Sequence, residues 1–128
     1  MDRSGDLNGA REALTDSLKL DPTRLPARLL FGQICLRLKD FKEAEDQFSG
    51  ALLLQPGEGS AQLGLVKVQL ASGNFVKATE KLETIARLQP NNPEVFELLA
   101  KSYAGLGQGD KSERAGRRAR ALRGNQKK

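Results

Sequence analysis

Apolar side chains recur along this chain at alternating intervals of three and four residues. Phe41, Ala44, Phe48 and Ala51 show the spacing, and so do Phe75, Ala78, Leu82 and Ile85. Such spacing puts apolar groups on one face of an α-helix. Read along the whole chain, the pattern predicts helices near residues 7–20, 25–38, 41–54, 59–72, 75–88, 93–106 and 109–122, joined by connections of a few residues. Pro22, Pro56 and Pro90 lie just past three of these helices, where a fixed φ and a missing N–H stop a helix. Gly73 and Gly107 suit the tight turns between the others, because glycine adopts a left-handed backbone at little cost. Lys39 holds the matching place in the first full pair, so that turn is expected to be strained or differently built.

The punctuation is periodic. The three prolines are 34 residues apart, and each closes a similar phrase: Leu18 to Pro22, Leu52 to Pro56, and Ala86 to Pro90. Gly5-Asp6-Leu7 is matched by Lys39-Asp40-Phe41, Gly73-Asn74-Phe75 and Gly107-Gln108-Gly109. The small residues Ala10, Ala44, Ala78 and Ser112 keep the same interval, and Leu14, Phe48 and Leu82 follow the alanines by four. A fixed period of this length marks a helical-repeat architecture. One helix pair cannot bury its apolar face alone, so neighbouring pairs must stack.

The expectation is therefore an all-α protein, an αα superhelix of antiparallel helix pairs spanning residues 1–128 as one domain. Residues 7–22 form the second helix of a partial repeat or a cap, followed by repeats at 25–56, 59–90 and 93–124. The unpaired first helix points to a piece of a longer array, with a capping helix as the alternative.

These features resemble the tetratricopeptide repeat family over essentially the whole chain. The family interlocks a small and a large apolar residue in its first helix, as Phe31-Gly32 and Leu99-Ala100 do here, with Cys35 and Tyr103 in the next packing place. Leu65-Val66 and Gln69 match more loosely. The family's first-helix tryptophan is replaced by Arg28, Gln62 and Phe96. Its second-helix pattern is held by Ala44, Phe48 and Ala51, then by Ala78, Leu82 and Ile85, then by Ser112, Gly116 and Ala119.

The resemblance implies an interaction scaffold that binds a protein or peptide on a concave face. The first-helix positions that would line it are Leu29, Gln33, Leu36 and Arg37, then Leu63, Lys67 and Leu70, then Glu97, Lys101 and Ala104. Such a mixed groove suits an amphipathic helix or an extended peptide. The Lys and Asn pairing with which some relatives clamp a carboxylate is missing, and Glu97 would repel one. Self-association through the repeat ends is the structural alternative.

Charge sharpens the picture at one end. The chain carries +5 overall, but residues 109–128 carry +6 and the remainder −1. Arg114, Arg117, Arg118, Arg120 and Arg123 make a basic final helix, with a thin apolar face of Ala115, Ala119 and Leu122. The plain reading is a solvated closing helix whose basic groups suit the dipole at its end. The alternative is an adaptor for nucleic acid or an anionic surface. The helix lacks aromatics for stacking on bases and the broad apolar face of a membrane-binding helix.

Candidate chemistry is sparse. There is no histidine, and Cys35 is the single cysteine, so no metal or other cofactor is expected and no internal disulfide can form. Cys35 and Tyr103 read as packing residues. Glu43, Glu45 and Asp46, like Glu80 and Glu83, read as solvated helix faces with i,i+4 support. No pairing of groups suggests an enzyme. No run approaches the ~20 apolar residues of a membrane span. A cytoplasmic setting is favoured, with the periplasm left open for a piece of a larger envelope protein.

Overall fold

A computed structural model of the chain describes residues 3–126. Those residues form seven α-helices and no strand: α1 (Arg3–Leu20), α2 (Leu25–Arg37), α3 (Phe41–Leu54), α4 (Gly59–Ala71), α5 (Phe75–Leu88), α6 (Pro93–Gly105) and α7 (Gly109–Gln126). The helical-repeat architecture expected from the 34-residue period is the one observed. Two compact units divide it, one ending at Val68 and the other beginning at Gln69.

The turn inside each pair is built alike. Lys39, Gly73 and Gly107 have φ of 64°, 83° and 75°. The residue after each donates its N–H back across the turn: Asp40 to the carbonyl of Cys35, Asn74 to Gln69 and Gln108 to Tyr103, at 2.9, 2.7 and 2.9 Å. This left-handed cap satisfies carbonyls that the ended helix would leave open. It also ends α2, α4 and α6 one residue before the positions the periodicity predicts. Lys39 adopts the glycine conformation despite its Cβ, and that is where the strain lies.

Helix starts are fixed by side chains. Asp40 precedes α3 and accepts from the N–H of Glu43 at 3.3 Å. Asn92 precedes α6 and accepts from Glu94 at 3.0 Å, with Pro93 as the first helical residue. Such caps serve N–H groups that have no partner within the helix. Asp40 also accepts from Arg11 of α1 at 2.6 Å, and this guanidinium, with the Glu43 N–H, holds the carboxyl below its ordinary range.

The ends depart from the sequence expectation. α1 begins at Arg3, so Gly5-Asp6, which the period places in a turn, lies within a helix. α7 continues to Gln126 rather than stopping at 122.

In the first unit α2 packs on α1 and α3. Its core gathers Phe31, Cys35, Ala44, Phe48, Ala51, Ala61, Leu65 and Val68. Phe48 is the largest fully buried side chain. A Cβ on Gly32 or on Gly64 would stand 2.8 or 2.5 Å from its ring, so both glycines are needed for close approach. In the second unit α6 packs on α5 and α7, burying Ala78, Leu82, Val95 and Leu99. One buried polar pair lies there: Thr79 donates to the carbonyl of Phe75 at 2.7 Å and its hydroxyl meets that of Ser102. Ala115, Ala119 and Leu122 are the buried face of α7, as its sequence predicts.

Candidate partner-binding faces

In the first unit, α2 turns Phe31, Ile34 and Cys35 into the core and leaves Gln33 and Arg37 exposed. Leu29 and Leu36 lie between, half-buried and packed against the core cluster. On α4, Leu63 is buried at 9% exposure, and Lys67 is half-buried. The apolar candidates on these helices therefore serve packing, and Gln33 and Arg37 are the exposed ones.

In the second unit, Leu70 is half-buried, and α6 exposes Lys101 and Ala104. Glu97 is engaged: both Nε and Nη2 of Arg123 donate to its carboxylate, the first at 2.9 Å. The pair ties α7 to α6 and raises the pKa of Arg123. It also neutralises the one acidic group among the candidate face residues.

The basic residues of α7 divide by role. Arg123 is paired with Glu97, and Arg117 reaches Glu113 one turn earlier at 3.8 Å. Arg118 donates to the carbonyl of Pro90 at 3.1 Å, and its guanidinium lies 5.8 Å from the centroid of the Phe96 ring. Arg114 and Arg120 are exposed and in no ion pair among the described residues. The closing-helix reading accounts for three of the five arginines through contacts within the chain.

Two groups read from sequence as plain have specific surroundings. Glu83 is not simply solvated, because it accepts from the Tyr103 hydroxyl at 2.8 Å. Burial first, and this carboxylate second, push the Tyr103 phenol up to about 12. Cys35 is a core residue with 0% exposure, and burial pushes its thiol up to about 11, far from a reactive thiolate.

One feature escaped the sequence reading. Leu20, Leu54 and Leu88, at the 34-residue interval, end their helices exposed. The interval itself was the available signal. Among the described residues no group of His, Cys, Asp and Glu gathers as metal ligands would, and no helix is long and apolar enough to cross a membrane.

The sequence pattern of the tetratricopeptide repeat matches residues 3–65 and again residues 36–102. No curated protein matches the chain. Among solved structures, MamA of MSR-1 aligns with a TM-score of 0.80 and 18% identity, over 97% of this chain and 71% of that one. MamA from Desulfovibrio magneticus RS-1 gives 0.81 and 23%, over 94% and 68%. A tetratricopeptide repeat protein from Parabacteroides merdae ATCC 43184 gives 0.79 and 19%, over 87% of this chain but only 43% of that one. At these identities the likeness shows a shared fold.

Proposed function

The chain belongs to the tetratricopeptide repeat family, and on that premise we propose that it is a non-catalytic scaffold holding a peptide or helix of a partner protein within a larger assembly. The fold is one that typically serves protein interaction rather than catalysis. Supporting the finer reading is a single observation, the division of labour on the first helices. Each first helix is anchored on one side by fully buried residues, and α2 and α6 leave Gln33, Arg37, Lys101 and Ala104 open to a partner. Within each unit a rigid helix holds its own exposed residues at fixed spacing, which lowers the ordering cost of binding. Leu29 and Leu36 supply partly open apolar area beside Gln33 and Arg37, and charges such as Arg37 and Lys101 set orientation and partner choice.

The experiment is affinity capture from the source organism's lysate with the intact chain and with a Gln33→Glu/Arg37→Glu/Lys101→Glu variant. All three positions are exposed, so the variant should keep its helical signal. A partner held by the intact chain and lost by the folded variant supports the reading. A partner held equally by both contradicts it. A mass that rises with concentration, with no partner captured, would favour self-association instead.

A further inference from the structure

A second surface lies on another side of α6. Phe96, Leu99 and Tyr103 are spaced i, i+3, i+7, and on a helix of 3.6 residues per turn they face away from Glu97, Lys101 and Ala104. They line a cleft of about 360 Å³. Lys111, Arg114, Ala115 and Arg118 of α7 form one wall, and Glu83 of α5 contributes from the other side.

The charges of this cleft do not balance. Three cations face one carboxylate, and that carboxylate already accepts the Tyr103 hydroxyl. Two of the cations are held in place. The Lys111 ammonium sits 5.7 Å from the Tyr103 ring centroid, and Arg118 lies over Phe96 while donating to Pro90. Arg114 lies between them in sequence, exposed, with no hydrogen bond or ion pair among the described residues. The cleft thus joins an apolar floor to a fixed excess of positive charge.

We propose that this cleft docks an acidic peptide segment carrying one large apolar side chain. The side chain would rest on the Leu99 and Ala115 lining of the cleft, not on the rings that the cations cover, and flanking carboxylates would meet Arg114 first and then Lys111 and Arg118. Charge complementarity selects the occupant: a neutral peptide leaves the excess charge unmet, and a basic one is repelled. A nucleic acid base fits poorly, because Lys111 and Arg118 already stand over the two aromatic rings on which it would stack. The site is separate from the faces of the proposed function, and it can fail or hold independently of them.

The test is calorimetric titration of the whole chain with a blocked heptapeptide of glutamates around one central phenylalanine. Saturable binding is expected, weakened several-fold when salt rises from about 0.05 to about 0.3 M. Arg114→Glu, at an exposed position, should weaken it at least tenfold, and replacing the central phenylalanine by alanine should also weaken it. The Gln33→Glu/Arg37→Glu/Lys101→Glu variant should bind within about twofold of the parent. Absence of saturable binding at millimolar peptide would overturn the proposal. So would binding indifferent to Arg114→Glu, loss of peptide binding in the triple variant, or a single-stranded RNA that binds more tightly than the peptide.

Discussion

The guanidinium of Arg118 donates to the carbonyl of Pro90 at 3.1 Å, replacing a bond that the two earlier repeats make from a different position. Arg28 donates to Pro22 at 2.9 Å and Gln62 to Pro56 at 3.2 Å, each from six residues beyond the proline. The corresponding residue after Pro90 is Phe96, which has no side-chain donor. α7 supplies the donor instead, and the same guanidinium lies over the Phe96 ring. Every proline carbonyl of the repeat is thereby met, although the residue that meets it changes.

Arg118→Ala should therefore lower stability, by about 1 kcal/mol for an exposed bond and an exposed cation–π contact together. Chemical denaturation of the two chains measures it. A change within error would mean that the contact contributes nothing.

Phe48 sets the tolerance of the first core. With Gly32 and Gly64 against its ring, Gly64→Ala forces the ring to move or the helices to part, at a cost of about 1–3 kcal/mol. Gly116 in α7 is the contrasting case, since an added Cβ would meet only the far end of Arg120, at 3.4 Å. Gly116→Ala should stabilise by about 1 kcal/mol through helix propensity. Thermal melts of the two variants should move in opposite directions.

The Lys39 turn carries removable strain. At φ 64° a glycine avoids the Cβ clash, so Lys39→Gly should stabilise by about 1 kcal/mol despite a more flexible unfolded chain. A lower melting temperature in the variant would contradict this.

Period and polarity made most of the fold legible. Pro22, Pro56 and Pro90 located the repeat, and the Gly73 and Gly107 turns located the pair, down to the strained equivalent at Lys39. Gly5-Asp6 misled: the motif that matches the later turns lies within α1. The candidate faces were less legible. Helical spacing places Leu29, Leu36 and Leu63 on a face, but only the packed structure shows how much of each the core takes. Contacts between residues far apart in sequence, such as Glu83 with Tyr103 and Glu97 with Arg123, leave no local pattern to read.

Tyr103 gives a spectroscopic check on one such contact. It is the single tyrosine, and the chain has no tryptophan, so the rise in tyrosinate absorbance follows it alone. Its phenol should ionise near 12 in the folded chain rather than at the ordinary 10. Because the folded value is raised, the neutral phenol contributes stability that is complete below pH 10 and lost as pH rises through about 12. Glu83→Gln should move the midpoint down only part of the way, because burial is the larger cause.

The most direct test of the scaffold reading is hydrogen exchange of the chain with and without a captured protein partner. Slowed exchange is predicted across residues 29–37 of α2 and 97–104 of α6, the stretches that carry Gln33, Arg37, Lys101 and Ala104. Slowed exchange confined to α3 and α5, with α2 and α6 unchanged, would contradict it.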